Sequence, residues 1–155
     1  MLGLKLALCA LLFMGVLTPS ANACRVSQTP EKRIADVYAE EAELRVALVT
    51  VTEARHLSNP MTRRMQALFE SYEAPWRVTA SINQTVHGGD SPELVVFDRG
   101  WGAAACDDET PMPRPGDRWV IYYVADHEIG ATKVILSYPL DTAKRVDPRL
   151  HGLRS

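Results

Sequence analysis

Alternating apolar and polar residues predict five β-strands in this chain. β-Branched and aromatic residues dominate each run, and turn-forming residues separate the runs. The predicted strands are residues 45–53, 76–86, 93–98, 118–124 and 131–138. In the fourth of these, alternate residues such as Val120 and Tyr122 are expected to face the interior. We expect Trp76 and Trp119, which lie in strands, to be core residues.

Helical spacing is found in two shorter stretches. Thr29 can cap a helix and Pro30 suits its first turn, so residues 31–42 are predicted to form a short amphipathic helix. A looser pattern over residues 62–72 could form one more. The tail after the last strand is expected to be irregular. The chain is therefore predicted to be mainly β, a five-stranded antiparallel barrel, closed or partly open, with one or two short helices.

The first 23 residues have the three parts of a secretory signal peptide. Lys5 precedes an apolar run over residues 6–17, and the segment ends with the small residues Ala21 and Ala23 around Asn22. The apolar run is too short to span a bilayer, and the chain has no second run of that length. We expect cleavage after Ala23, export to the periplasm or the outside, and a single domain over residues 24–155.

Two cysteines remain after this cleavage, because Cys9 is removed with the signal. In an oxidising compartment Cys24 and Cys106 are expected to form a disulfide. The bridge would close a loop of roughly 80 residues and stabilise the fold by roughly 4–5 kcal/mol. Lipidation of Cys24 is the alternative, although the preceding Ala21-Asn22-Ala23 fits a lipoprotein signal poorly.

The net charge and the absence of known motifs argue against several classes of function. The formal net charge of −2 gives no basic patch for nucleic acid or an anionic membrane. We find no metalloprotease motif, nucleophile elbow or phosphate loop, and the four histidines are scattered. No catalytic residue, no cofactor and no metal of the protein's own is therefore expected. The run Asp107-Asp108-Glu109 could hold calcium, but without the calcium-loop spacing a solvated acidic loop is favoured.

Four features occur together in an order that resembles a known family. They are the N-terminal cysteine of the processed chain, the strand Val-Thr-Ala-Ser-Ile-Asn-Gln-Thr-Val-His-Gly (78–88), the Gly-rich loop ending at Cys106, and Pro-Gly-Asp-Arg-Trp-Val-Ile-Tyr-Tyr (115–123). Over about residues 24–140 the chain resembles the inhibitory domain of tissue inhibitors of metalloproteinases, the wider netrin-module set and its bacterial relatives. The resemblance implies an OB-like barrel.

The resemblance also implies a mechanism of inhibition. In that family the amine and carbonyl of the first residue chelate the zinc of a target protease, and a disulfide holds that residue in place. Carried over, Cys24 would chelate and Cys106 would anchor it, with Arg25, Val26 and Trp101 contacting the protease. The chain departs from the family where Val26 replaces a second cysteine and Arg25 replaces a small residue.

These observations predict a monomeric protein-binding module of the cell envelope and not an enzyme. The expected partner is another protein. The alternative is an inhibitor that binds a zinc metalloprotease through the Cys24 amino terminus.

Overall fold

The computed structural model describes residues 28–68, 74–100, 110–126 and 131–153. In chain order its elements are α1 (Pro30–Glu40), β1 (Arg45–His56), α2 (Pro60–Leu68), β2 (Trp76–His87), β3 (Leu94–Arg99), β4 (Arg118–Asp126), β5 (Ala131–Pro139), α3 (Leu140–Val146) and a 3-10 turn (Pro148–Leu150). The protein is mainly β, as predicted. Every predicted strand is present and begins within one residue of its predicted start.

The five strands form one antiparallel sheet in the order β3-β2-β1-β4-β5. β1 therefore lies at the centre, paired with β2 on one side and with β4 on the other. β3 and β5 are the edge strands. No backbone ladder joins these two edges within the described residues, so the sheet is not closed there.

Local capping explains where the first two helices begin. The Thr29 side chain accepts a hydrogen bond from the Lys32 amide at 3.4 Å, at the predicted start of α1. α2 begins at Pro60, two residues before the predicted start. Asn59 and Thr62 explain this shift, because each side chain accepts the other's backbone N–H at 2.9 Å.

The prediction of an irregular tail after β5 is wrong. Leu140 and Ala143 lie one helical turn apart and are both buried, which places α3 against the sheet. Asp147 then caps the 3-10 turn by accepting the Arg149 amide at 3.1 Å. The described part of the chain therefore has three α-helices instead of one or two.

The sheet is buried on both faces. The helix-side core lies under α1 and α3; its members are Ile34, Val37, Leu44, Val46, Leu48, Val120, Tyr122, Tyr138, Leu140, Ala143, Leu150 and Leu153. The strand-side core lies on the other face; its members are Ala47, Val49, Val51, Trp76, Val78, Ala80, Val95, Phe97, Trp119, Ile121 and Tyr123.

This arrangement refines the prediction for β4. Val120 and Tyr122 are buried as expected, but in the helix-side core. Their neighbours Trp119 and Ile121 are buried in the strand-side core. A central strand that is covered on both faces reads as a continuous apolar run, so alternation alone did not identify which residues face the helices.

Candidate binding groove

The residues predicted to carry function lie outside the described residues. They are Cys24, Arg25, Val26, Trp101 and Cys106. The disulfide, the zinc-chelating amino terminus and the acidic run 107–109 therefore stay predictions. The structure does describe the chain on both sides of the loop 101–109. In the sequence, residues 101–109 follow β3 and precede the described segment 110–117, which leads into β4.

A groove of about 490 Å³ lies where β4 begins, β5 ends and α3 begins. We call it the end groove. Its lining residues are Pro111, Met112, Pro113, Gly116, Asp117, Arg118, Trp119, Pro139, Leu140 and Asp141. Residues 111–117 belong to the segment between residues 101–109 and β4 in the sequence. The groove therefore lies next to the predicted contact loop along the chain.

A tight turn shapes one wall of the end groove. The Asp117 carboxylate accepts the Arg114 amide at 2.7 Å, and the Asp117 amide donates to the Arg114 carbonyl at 3.0 Å. Gly116 occupies the left-handed region with φ of +93°, where glycine carries no steric penalty. The turn is tied to β1, because Gly116 donates to the Val51 carbonyl at 2.8 Å and Val51 donates to the Asp117 carbonyl at 2.9 Å.

The groove has a mixed lining, in which prolines and other apolar residues lie beside the charged residues Asp117, Arg118 and Asp141. Three of its residues are prolines, whose rings fix the backbone and leave no amide to be satisfied. Met112 packs against the strand-side core, and Leu140 belongs to the helix-side core, so both walls rest on buried structure. Asp117 and Asp141 are exposed at the rim. Apolar and charged groups side by side are common in non-obligate protein-binding surfaces.

Aromatic residues support the groove from behind. Trp76 and Trp119 are 3% and 2% exposed, which confirms the prediction that both are core residues. Their rings meet edge to face with centroids 5.9 Å apart. Trp119 also lies opposite Pro139 in the β4–β5 ladder. Packing of Trp119 therefore affects both strands that border the groove.

Arg99, at the end of β3, is a residue that the sequence analysis missed. Its guanidinium lies 5.9 Å from the ring centre of Trp76 and 5.8 Å from that of Tyr138. The Arg99 Nη1 atom donates to the backbone carbonyl of Ser137 and to its hydroxyl, the latter at 3.2 Å. The sequence signals only a polar residue between a strand and Gly100, and nothing in it identifies Ser137 as the partner.

A second missed cluster joins the end of the chain to the sheet. Asp147 is completely buried, and its Oδ2 accepts the Tyr122 hydroxyl at 2.9 Å. Its Oδ1 accepts the Arg149 amide at 3.1 Å and faces the Arg149 guanidinium at 3.3 Å. That guanidinium lies 3.8 Å from the ring centre of Tyr38. The cluster occupies the helix-side core, away from the end groove, and its role is to hold the 3-10 turn in place.

Burial and charge perturb the two tyrosines of this cluster. Burial raises the pKa of Tyr122, and the charge of Asp147 and its hydrogen bond raise the pKa further. Burial likewise raises the pKa of Tyr38 to about 12, with a smaller contribution from the charge of Asp147. Both hydroxyls therefore stay protonated at neutral pH and act as neutral groups in the fold.

Metal-binding clusters and membrane-spanning helices are both absent from the described residues. Within residues 28–68, 74–100, 110–126 and 131–153, no three His, Cys, Asp or Glu residues are grouped so that they could hold a metal ion. In the same ranges no helix is long and apolar enough to cross a membrane.

Comparison of the chain with protein-family models, with curated proteins and with solved structures finds no match in any of the three.

Proposed function

We propose that this chain is an exported protein-binding module of the cell envelope and that the end groove is its contact surface. The observation that carries this proposal is the groove itself, with its mixed apolar and charged lining, its rigid turn and its position soon after residues 101–109 in the chain. The proposed export is based on the signal-like residues 1–23.

The physical character of the groove favours a macromolecular partner. Its turn is held by four hydrogen bonds, two within the turn and two to β1, so little backbone entropy is lost when a partner binds. Among the lining residues the two carboxylates of Asp117 and Asp141 outnumber the guanidinium of Arg118, so the groove has a net negative charge, which suits a partner segment that carries a basic side chain beside apolar ones. A surface that is rigid before binding keeps more of its contact energy as affinity.

Affinity capture with paired variants tests the groove. Arginines at Pro111 and Asp141, both exposed at the groove, would fill it and reverse its rim charge. We expect the double variant Pro111→Arg/Asp141→Arg to lose a partner that the wild-type protein retains from an envelope extract. Circular dichroism of the purified variant checks that the sheet is intact.

The chain offers a matched control for this variant. Pro92 and Asp90 are also exposed, but they lie in the β2–β3 connection near the opposite end of the sheet. The double variant Pro92→Arg/Asp90→Arg makes the same change of charge and is expected to keep the partner. Equal retention by both double variants would show that the end groove is not the contact surface.

Metalloprotease inhibition through Cys24 is the second candidate. The sheet is compatible with it, because it has the five antiparallel strands that the family resemblance implies. The position of α1 is also compatible with it. Four residues separate Cys24 from Thr29, so these two residues are at most about 18 Å apart.

An extension of the amino terminus tests this second candidate. Chelation needs a free α-amine on Cys24, so one alanine placed before Cys24 should abolish inhibition of a panel of zinc metalloproteases. The control is the substitution Arg25→Ala, which changes the neighbouring side chain and leaves the amine free. Inhibition that survives the added alanine would exclude chelation.

A further inference from the structure

We propose that Arg99 is a positioning residue that latches the two edge strands together and thereby fixes the shape of the end groove. The inference rests on the proposed function of that groove. We use the name latch for Arg99 together with Trp76, Ser137 and Tyr138, which it contacts. The latch joins β3 to β5 through a side chain instead of a backbone ladder.

The contacts of Arg99 cross the gap between the edge strands. Arg99 is the last residue of β3, and it lies opposite Trp76 of β2 in the ladder. Its guanidinium donates to the carbonyl and the hydroxyl of Ser137 on β5. Trp76 and Tyr138 both face the same guanidinium at centroid distances just under 6 Å. A partly buried cation between two aromatic rings gains more from them than an exposed one does.

A second groove, of about 250 Å³, separates the edge strands away from Arg99, with Val96 and Phe97 on the β3 side and Thr132 and Val134 on the β5 side. The edges of a sheet carry backbone groups that are not satisfied by the sheet itself. The two edge strands therefore contact each other through Arg99 and flank a groove elsewhere, as expected if this side chain holds them together.

The latch is connected to both borders of the end groove. On β5, Ser137 and Tyr138 directly precede Pro139, which lines the groove. On β4, Trp119 lines the groove and packs edge to face on Trp76, the same ring that faces Arg99. Loss of the Arg99 guanidinium would therefore free both the end of β5 and the Trp76 ring, on which Trp119 packs.

Hydrogen exchange measured by mass spectrometry tests the latch on the isolated protein. In Arg99→Met we expect amides in residues 94–99, 131–139 and 111–119 to exchange about tenfold faster, while the centre of β1 changes less than about twofold. A residue that only contributes to global stability would speed exchange by one common factor throughout the sheet. The local pattern therefore separates positioning from general stabilisation.

Arg77→Met is the matched control. Arg77 is also a strand arginine next to the gap, but its guanidinium pairs with Asp98 at 2.6 and 2.8 Å, between strands that are already joined by a ladder. It should leave the exchange pattern unchanged. If Arg99→Met does not fold, Ser137→Ala removes the hydroxyl that accepts from the guanidinium and is expected to give the same local pattern at smaller amplitude.

Three results would overturn the inference. They are unchanged exchange at β3 and β5 in the variants, an equal increase throughout the sheet, or faster exchange at β3 and β5 without any change in residues 111–119. None of these measurements involves a partner. The capture experiment with Pro111→Arg/Asp141→Arg decides the proposed function separately, so failure of the latch and failure of the groove are distinguishable.

Discussion

Removal of the Tyr122 hydroxyl should destabilise the fold more than removal of the Tyr123 hydroxyl. Tyr122 and Tyr123 are adjacent in β4 and are almost completely buried. The Tyr122 hydroxyl donates to the buried carboxylate of Asp147 at 2.9 Å. The Tyr123 hydroxyl bonds to the neutral hydroxyl of Ser91 at 2.6 Å. The pair Tyr122→Phe and Tyr123→Phe therefore compares a charged with a neutral partner.

The expected magnitudes follow from the partners. A hydrogen bond to a charged group contributes about 1.5–3 kcal/mol, against about 0.5–1.5 kcal/mol for a neutral pair. In Tyr122→Phe the carboxylate of Asp147 also stays buried with one donor fewer, which adds to the loss. We therefore expect Tyr122→Phe to lower the free energy of unfolding by about 2–3 kcal/mol and Tyr123→Phe by about 1 kcal/mol.

Urea unfolding at neutral pH, followed by circular dichroism, measures these losses. The midpoint should fall while the denaturant slope stays constant, because the surface exposed on unfolding is unchanged. A double-mutant cycle with Asp147→Ala isolates the pair, with an expected coupling of about 1–3 kcal/mol. Equal losses in the two Phe variants, or a coupling near zero, would refute the assignment of this buried bond as a main anchor of the C-terminal segment.

Three further predictions concern pH, backbone and covalent structure. Burial raises the pKa of Tyr38 from 10.0 to about 12. The stability that the protonated Tyr38 hydroxyl contributes is therefore complete below pH 10.0 and should be lost as the pH rises toward 12. The urea midpoint should fall over this range, and it should fall less in Tyr38→Phe. Gly88→Ala should lower the free energy of unfolding by about 1–3 kcal/mol, because φ at this residue is +89° and an added Cβ atom would lie 2.7 Å from Arg45. An unchanged urea midpoint would contradict this prediction. The intact mass of the exported protein should correspond to a chain that starts at Cys24 and lacks two hydrogens because of the disulfide. A mass that includes a lipid would contradict this disulfide. So would a thiol reagent that labels both Cys24 and Cys106 without prior reduction.

The strands could be predicted from sequence because their signal is local. β-Branched residues and bounding turns placed all five, and Val49 and Val51 are buried between more exposed threonines as the alternation indicates. The strand order could not be read from the pattern. It depends on which edges meet, and local alternation does not encode that choice.

The candidate site was harder to predict because its parts are distant in the chain. Arg99 meets Ser137 across 38 positions, and Tyr122 meets Asp147 across 25. Neither pair forms a motif. The tail was misread for a related reason, since α3 has only seven residues and is placed by burial of Leu140 and Ala143 against the sheet. Tertiary contacts decide short elements of this kind.

Site-specific photo-crosslinking in the cells that produce the protein tests the proposed contact surface most directly. A photoreactive residue would replace Pro111 or Asp141 at the end groove, and Gly89, where an added side chain meets no atom within 4 Å, at the opposite end of the sheet. The account predicts that both groove positions form an adduct of the same mass with one partner protein and that position 89 does not. Adducts from position 89 alone, or from all three positions equally, would contradict it.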